Sequence, residues 1–217
     1  MGQRKQFNEI ADIELLKKQI AMNLQSEVGK NLQYTNDLVF IIQNFIKMIT
    51  NNEYQAIDPD TKKIITLNGV RGFYVAGGIG SGKTTLMKAL IKTMQDLNIS
   101  YHTDIEGTRY FFNKNNIYSV TTLNKMYVSD NELPTKSAVI VIDDLRENMI
   151  FRNMGNTYSI DLFIQDRYDE AHTLTFITSN LPLSEKYLQL DQRSISRLHE
   201  MCAYYELRNS DFRKQYD

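Results

Sequence analysis

Cysteine and proline are scarce in this chain of 217 residues, which contains one cysteine and three prolines. The single cysteine, Cys202, allows neither an internal disulfide nor a zinc site built from cysteines. So few prolines, together with a hydrophobic content of 42%, argue against long disordered tracts. The length and composition therefore indicate one domain with a sizeable core.

An excess of charge of either sign is also missing. Lysine and arginine number 25, aspartate and glutamate number 26, and the net charge is −1. The bulk composition therefore lacks the strongly basic footprint of many nucleic-acid-binding domains. A local basic patch is still compatible with this composition, so DNA binding is not excluded.

Long hydrophobic runs are absent as well. The longest uninterrupted runs, such as Leu38–Ile42, are far too short to span a bilayer. The charged N-terminus has no apolar segment behind it, as a signal peptide would need. Gln6 stands where a myristoylation signal requires serine or threonine. We therefore expect a soluble, cytoplasmic protein without a membrane partner.

The opening part of the chain is predicted to be helical. Residues 7–30 mix apolar and charged positions at helical spacing. A second helix is expected to begin at an N-cap, either Thr35 or Asn36, and to run to about residue 49. We therefore expect residues 1–50 to form a short helical segment that could bind a partner.

Turn residues dominate the next stretch, residues 51–71. Asp58-Pro59-Asp60 is a turn signal, and Asn68-Gly69 predicts a tight hairpin turn after the apolar residues 64–67. We therefore expect this stretch to be a connector between the helical segment and a domain that covers residues 72–217.

From residue 72 onward, short apolar segments alternate with longer helical patterns. Helices are predicted from the glycine loop to about residue 97, over residues 157–171 and near residues 191–199. Strands are predicted over residues 73–76, 99–103, 138–142, 173–178 and 201–207. The segment 138–142 is unbroken and apolar, as a parallel strand covered on both faces requires. This alternation indicates an α/β sheet.

A phosphate-binding loop is the strongest motif in the chain. The pattern G-x-x-x-x-G-K-[ST] is matched in full by Gly77, Gly78, Ile79, Gly80, Ser81, Gly82, Lys83 and Thr84. Its glycines allow successive N–H groups to point at phosphate oxygens, and the following helix adds its positive end. We expect Lys83 to contact the β- and γ-phosphates of ATP, Thr84 to bind Mg²⁺, and the adjacent Thr85 to complete the nucleotide contacts.

Two acids follow the apolar strand 138–142. We expect Asp143 to be the Walker B acid that holds Mg²⁺ through water. We expect Asp144 to orient or deprotonate the attacking water. Many proteins with this arrangement carry glutamate at the second position, and aspartate is one methylene shorter. Hydrolysis is therefore predicted to be slow.

Four further polar residues are candidates for the same site. Asn180 ends the next apolar strand and is predicted to be the sensor-1 residue that holds water near the γ-phosphate. Arg193 and Arg197 stand four residues apart, so they share one face of a helix. Nothing within one subunit accounts for them, and one is expected to reach a neighbour's γ-phosphate as a trans arginine finger. Arg213 could reach the nucleotide within its own subunit.

Several segments of residues 70–215 occur in the order and spacing of a known family. They are Val141-Ile142-Asp143-Asp144-Leu145, Gly155-Asn156, Arg167-Tyr168-Asp169, Thr178-Ser179-Asn180-Leu181, Arg193, Ser196-Arg197-Leu198, Glu200-Met201 and Ser210-Asp211-Phe212-Arg213. In these segments the chain resembles the DnaC-type replicative helicase loaders, AAA+ ATPases of the DnaC/IstB-like family. Two departures stand out, because Arg146 replaces the family's glycine after the Walker B leucine and residues 104–137 match poorly.

This resemblance implies a fold, a ligand set and a function. The implied fold is an α/β P-loop AAA+ core, a parallel β-sheet flanked by helices, with a short helical N-terminal segment and no separate lid domain. The implied ligands are ATP or ADP and Mg²⁺. The implied partners are single-stranded DNA, a hexameric replicative helicase and further copies of the chain, joined through arginine fingers. ATP hydrolysis would act as a release switch.

Two alternative functions stay open at this stage. The first is an IstB-like helper for transposition or another mobile element, which binds DNA and a recombinase through the same ATPase core. The second is a small-molecule P-loop kinase. The acid pair Asp143-Asp144, Asn180 at a strand end and the two arginines favour an oligomeric ATPase over a kinase. Phosphoryl transfer to a nucleoside monophosphate would distinguish the two classes.

Overall fold

The computed structural model describes most of the chain. It covers residues 5–8, 10, 12–29, 32–103, 109–112, 117–130, 132–153, 155–170 and 172–208. Arg213, which the sequence places near the nucleotide, lies outside the described residues. Among the helices of the described part, none combines the length and the apolar character that a membrane span requires.

The described residues form strands and helices that alternate over most of the chain. The strands are β1 (Lys5–Phe7), β2 (Tyr54–Ile57), β3 (Ile64–Leu67), β4 (Gly72–Gly77), β5 (Ser100–Thr103), β6 (Arg109–Phe111), β7 (Ile117–Ser119), β8 (Val139–Leu145), β9 (Ile150–Asn153), β10 (Asn156–Ser159), β11 (Leu174–Ser179) and β12 (Cys202–Leu207). The helices are α1 (Ile13–Val28), α2 (Asn36–Ile49), α3 (Lys83–Asp96), α4 (Val120–Asp130), α5 (Ile160–Asp169), α6 (Glu185–Leu188) and α7 (Gln192–Met201).

The centre of the fold is a five-stranded parallel sheet in the order β12-β4-β11-β8-β7. Successive residues of one strand belong to two different cores. Phe73 and Val75 of β4 pack with α1, α2 and α3, whereas Tyr74 and Ala76 pack with α5 and α7. A sheet that is covered on both faces has apolar residues at every position, which is why its strands appear as unbroken apolar runs. The predicted α/β fold class is confirmed.

Helix starts follow the capping residues in the sequence. α2 begins after Thr35, whose hydroxyl accepts a hydrogen bond from the N–H of Leu38, as predicted. α1 begins only at Ile13, after an Asp12 cap, so the prediction of a helix from residue 7 is wrong. Residues 5–7 instead form β1, which pairs with β5, and this pairing buries Phe7.

The turn predicted at Asp58-Pro59-Asp60 is confirmed, but two hairpins were not predicted as such. β2 and β3 pair across a turn at residues 58–63, where the Asp58 carboxylate accepts hydrogen bonds from the N–H groups of Asp60 and Thr61. The tight hairpin turn predicted at Asn68-Gly69 is wrong, because β3 ends at Leu67 and pairs backward with β2. The helix predicted from residue 157 begins at Ile160, since residues 156–159 pair with β9 as β10.

A polar contact holds the N-terminal helix on the core. The Asn23 side chain of α1 donates hydrogen bonds to the Thr93 hydroxyl and the Asp96 carboxylate of α3, both at 3.0 Å. Gln19 also donates to Asp96, at 3.0 Å. These bonds disfavour other registers of α1 against α3, because sliding α1 would leave the buried Asn23 amide without its partners. α1 is therefore fixed against α3, the helix that follows the glycine loop.

A buried arginine joins the amino ends of β8 and β11. Arg167 of α5 donates to the Thr135 and Ser137 carbonyl oxygens before β8 and to the Leu174 carbonyl oxygen of β11. It also donates to the Thr175 hydroxyl. Burial lowers the pKa of this guanidinium to about 10, which leaves it charged at neutral pH. Arg167 therefore fixes the amino ends of β8 and β11. The opposite, carboxyl ends of these strands lead to Asp143 and Asn180.

Candidate nucleotide-binding site

The residues predicted to bind phosphate lie at one edge of the parallel sheet. β4, β11 and β8 are neighbours and run in the same direction. The loop after β4, the acids of β8 and the residue after β11 therefore meet at the carboxyl ends of these strands. In open α/β sheets, ligands bind at this edge.

Two glycines of the loop over residues 77–82 illustrate why this loop needs glycine. Gly82 has a φ of +89° and is the N-cap of α3, a left-handed conformation that favours glycine. A Cβ on Gly77 would lie 2.5 Å from the carbonyl oxygen of Leu207, at the end of β12. Because the N-cap is a glycine, no side chain caps α3. The positive end of this helix therefore faces the cavity without an acceptor side chain, as anion-binding helices do.

Lys83 is the first residue of α3, and its side chain bends back over the loop. Its Nζ donates to the carbonyl oxygens of Gly77 and Gly78, each at 2.8 Å, and to Asn180 Oδ1 at 2.9 Å. The residue is 7% exposed. The ammonium group therefore joins the glycine loop to the end of β11, and it brings a positive charge to the cavity.

Asp143 accepts two hydroxyl hydrogen bonds on one carboxylate oxygen. The Thr84 hydroxyl donates to Oδ1 at 2.7 Å, and the Thr178 hydroxyl donates to the same atom at 2.7 Å. The Thr178 oxygen also accepts a hydrogen bond from the backbone N–H of Asp144, at 2.9 Å. The predicted pair Thr84 and Asp143 is thus brought into direct contact, and buried Thr178 holds both acids from the neighbouring strand.

A bulge in β8 explains how two consecutive acids reach the same edge. Ile142 pairs with Ile177 and Leu145 pairs with Ser179, so β8 has one residue more than β11 over this stretch. Asp144 accommodates this extra residue by adopting a φ of +64°. Side chains normally alternate between faces, and a bulge re-aims one of them. Aspartate is among the non-glycine residues that tolerate this conformation best.

Both carboxylate oxygens of Asp144 accept hydrogen bonds from side chains. Asn180 Nδ2 donates to Oδ1 at 3.0 Å. Arg146 donates to Oδ2 from Nε at 3.0 Å and from Nη2 at 2.6 Å. This hydrogen bond, with the charge of Asp144, raises the pKa of the Arg146 guanidinium. Asn180 therefore lies between Lys83 and Asp144.

These residues line a cavity of about 840 Å³ that has a polar end and an apolar end. The polar lining is Gly80, Ser81, Gly82, Lys83, Thr84, Thr85, Asp143, Asp144, Arg146, Thr178 and Asn180, with Ile79 at its margin. The apolar lining is Leu24, Val28, Leu32, Leu38, Leu86 and Leu207, accompanied by Gln33. Residues of α1, of α2, of the segment between them and of β12 thus line the same cavity as the acids. Such a cavity is large enough for a nucleotide-sized ligand.

The donor set fits Mg²⁺ bound mostly by water and phosphate. Within the described ranges, no group of three or more histidine, cysteine, aspartate or glutamate residues could hold a metal ion. The edge of the cavity instead supplies one hydroxyl, from Thr84, and one carboxylate, from Asp143, which touch each other. Mg²⁺ usually keeps several waters and takes one or two carboxylates plus substrate phosphates, and these two oxygens match that pattern.

The two arginines of α7 differ in their surroundings. Arg193 is exposed, and its side chain forms no hydrogen bond or ion pair with the described residues. Arg197 is 8% exposed; it forms an ion pair with Asp169 at 3.5 Å and its guanidinium lies 5.0 Å from the ring centre of Tyr168. The expectation that nothing within one subunit accounts for them is therefore wrong for Arg197. Neither arginine lines the cavity.

Two residues of the site were not assigned a role from the sequence. Thr178 belongs to a quoted segment, but only the register of β11 against β8 shows that its hydroxyl faces both acids. In the sequence, Arg146 stands out only as a departure from the family. Its charge, two positions after Asp144, is the one sign that it could contact that acid. The structure brings together the loop, Asp143, Asp144 and Asn180, and their roles toward a nucleotide stay predictions.

Comparisons with known proteins give a structural match and no sequence match. No protein-family model matches the chain, and no curated protein is significantly similar to it. The DnaC helicase loader superposes with a TM-score of 0.52 at 18% identity, over 88% of this chain and 99% of that one. A candidate primosome component from Streptococcus pyogenes serotype M3 gives 0.44 at 18% identity, over 65% and 70% of the two chains. AMPPCP-bound DnaA from Aquifex aeolicus gives 0.43 at 14% identity, over 64% and 41%.

Of these three structures, the helicase loader is similar to this chain with a TM-score above 0.5. The match extends over 88% of the chain, so it includes more than the sheet and its P-loop. The five parallel strands, the glycine loop after β4 and the acids of β8 are the features of the expected architecture. The chain therefore has the fold of the DnaC helicase loader, with a parallel α/β sheet and a glycine loop after β4.

Proposed function

We propose that this chain is an ATPase of the helicase-loader type. In this proposal it binds ATP and Mg²⁺, hydrolyses ATP slowly, and uses hydrolysis as a switch. The ATP-bound form assembles with further copies, grips single-stranded DNA and delivers a hexameric replicative helicase in the cytoplasm. The observation that carries the proposal is the convergence of Lys83, the pair Thr84 and Asp143, and the pair Asp144 and Asn180 in one cavity.

The polar end of the cavity has the chemistry that a triphosphate requires. Lys83 supplies a positive charge beside the glycine loop, and the uncapped end of α3 supplies oriented N–H groups. Thr84 and Asp143 would hold Mg²⁺, which neutralises charge on the β- and γ-phosphates when it is bound. The apolar end, formed by Leu24, Val28 and neighbouring residues, would accept the base.

Hydrolysis would depend on Asp144 and Asn180. Asp144 accepts the proton of the attacking water, and Asn180, 3.0 Å away, orients that water near Lys83. Arg193 is exposed and lies outside the cavity, so it would contribute only to the site of a neighbouring subunit. An incomplete site of this kind makes turnover depend on assembly, which suits a switch better than a motor.

The delivery of a helicase is inferred from the fold. The likeness covers 99% of the helicase loader and 88% of this chain. α1 is fixed on α3 by Asn23, and its residues Leu24 and Val28 line the cavity. A helix that contacts both the Walker A helix and the cavity is suited to report the bound nucleotide to a partner.

The proposal is tested by complex formation between the full chain and the replicative helicase of the same organism. Both proteins are mixed with ATP or with ADP and separated by size-exclusion chromatography with mass measurement. We expect a complex larger than the helicase hexamer that depends on the nucleotide. The matched variant Lys83→Ala should lose that dependence. Absence of any complex in either nucleotide, with both proteins folded, would contradict the loader function.

A further inference from the structure

Arg146 lies two residues after Asp144 in the chain, and its side chain contacts the Asp144 carboxylate. Its guanidinium bends back over the Asp144 carboxylate and donates to Oδ2 from two nitrogens, at 3.0 and 2.6 Å. The backbone N–H of Arg146 contacts Met149 Sδ at 3.3 Å, which ties the turn after β8. Arg146 also lines the cavity, so its charge belongs to the candidate site.

The position of Asp144 is determined from three sides. Its backbone N–H is held by the Thr178 hydroxyl, and its Oδ1 accepts a hydrogen bond from Asn180. Its φ of +64° fixes the direction of the side chain at the bulge. Arg146 then occupies the remaining oxygen, Oδ2, with two charge-assisted hydrogen bonds. An oxygen engaged in this way has to release a donor before it can accept a proton from water.

We propose that Arg146 is a positioning residue that restrains Asp144 and keeps basal ATP hydrolysis low. This inference rests on the proposed ATPase function. In the reaction, the water oxygen forms a bond to the γ-phosphorus and the bond from that phosphorus to the bridging oxygen breaks, so that ADP leaves with the electron pair. The proton of the water passes to Asp144. Arg146 opposes this transfer, because two of its nitrogens already donate to Oδ2 and a donor has to leave before that oxygen can take the proton.

The ion pair between Arg146 and Asp144 is exposed to solvent, so the restraint on Asp144 is reversible. The Arg146 side chain is 70% exposed and that of Asp144 is 35% exposed. Exposed ion pairs are weak and are screened by salt. The restraint therefore slows hydrolysis without preventing it, and it weakens as ionic strength rises. Asn180 and Thr178 are neutral, so their contacts with Asp144 carry no comparable dependence on salt.

The test compares Arg146→Ala, Arg146→Gln and Arg146→Lys with the wild-type chain. Arg152→Ala is the matched control, because Arg152 is an exposed arginine of β9 that does not line the cavity. Turnover is measured over a range of ATP concentrations, so that kcat and KM are obtained separately. Affinity for a non-hydrolysable ATP analogue is measured by calorimetry as an independent readout.

We expect Arg146→Ala and Arg146→Gln to raise kcat about two- to fivefold, on the scale of an exposed ion pair. Affinity for the analogue should stay within about twofold of wild type. Arg146→Lys keeps the charge but not the two guanidinium hydrogen bonds, so its kcat should lie between that of the wild type and that of Arg146→Ala. Arg152→Ala should stay close to wild type. Added KCl should bring the kcat of the wild type closer to that of Arg146→Ala, so that the ratio of the two values falls toward one.

Three results would count against these statements. An unchanged or lower kcat in Arg146→Ala, with analogue binding intact, would overturn the inference and leave the ATPase proposal standing. Equal salt dependence in the wild type and Arg146→Ala would also overturn it. Failure of the wild type to bind the analogue would contradict the proposed function itself, and the inference with it.

Discussion

The Thr178 hydroxyl connects the two consecutive acids of β8. It donates to Asp143 Oδ1 at 2.7 Å and accepts from the N–H of Asp144 at 2.9 Å. Because the hydroxyl has one proton and two lone pairs, both bonds are satisfied at once. Thr178 is fully buried in β11, so its contacts fix the bulge that presents Asp143 and Asp144 at one edge.

Replacement of Thr178 by valine keeps the shape and removes both hydrogen bonds. We expect Thr178→Val to lower turnover about tenfold and to destabilise the fold by about 1–3 kcal/mol, because a buried N–H and a carboxylate oxygen lose a partner. Thr66→Val, at an exposed position of β3, is the matched control. Steady-state kinetics and thermal unfolding check the two effects. Wild-type turnover in Thr178→Val would show that the hydroxyl is dispensable.

Asp144→Asn tests the role of the second acid. The amide has nearly the same shape as the carboxylate but cannot take the proton of the attacking water, so we expect ATP to bind while turnover falls at least about 100-fold. Nucleotide binding by calorimetry and phosphate release are the two measurements. If phosphate release matched that of the wild type, Asp144 would have no catalytic role.

Much of this site could be predicted from the sequence. The loop of residues 77–84 is recognisable because its glycines and lysine are each required by phosphate geometry. Asp143 and Asn180 could be assigned because each follows an apolar run, and the carboxyl ends of parallel strands meet at one edge. The same logic gave the α/β class and the cap of α2 at Thr35, since unbroken apolar runs and capping residues are local signals.

The remainder depends on contacts between distant residues. The bulge at Asp144 and the role of Thr178 follow from the register of two strands that are separated by more than 25 residues. The partner of Arg197 is Asp169, which lies on another helix. The sequence does not predict β1, because a segment of three residues forms a strand only when it can pair with the edge of another strand, here β5. No periodicity in the sequence carries such information, because tertiary contacts decide it.

Single-stranded DNA should bind better in the presence of ATP than of ADP. Only ATP carries the γ-phosphate that Arg193 of a second copy would contact, and aligned copies present a longer surface to DNA. Fluorescence anisotropy with an unstructured oligonucleotide measures the affinity, at a stated salt concentration because phosphate contacts depend on salt. Equal and negligible binding in both nucleotides would favour an ATPase directed only at proteins.

Arg193 can be tested by mixing two inactive variants. Arg193→Ala keeps its own acids, and Asp144→Asn keeps its Arg193, so a mixed assembly contains some complete sites. An arginine finger contributes about 10³–10⁵ in rate, so a few restored sites should give measurable turnover. The matched variant Arg152→Ala should behave as wild type. Co-assembled subunits that recover no activity would remove the trans role of Arg193.

Binding of ATP by wild type and Lys83→Ala, measured by titration calorimetry in the presence of Mg²⁺, tests the central claim most directly. Lys83 is expected to contact two phosphates, and each charge-assisted hydrogen bond contributes about 1.5–3 kcal/mol. We therefore predict that the wild type binds ATP and that Lys83→Ala binds it at least about 100-fold more weakly. Thermal unfolding establishes that the variant is folded. Equal ATP affinity in the two folded proteins, or no binding by the wild type, would contradict the nucleotide site at the edge of β4, β8 and β11.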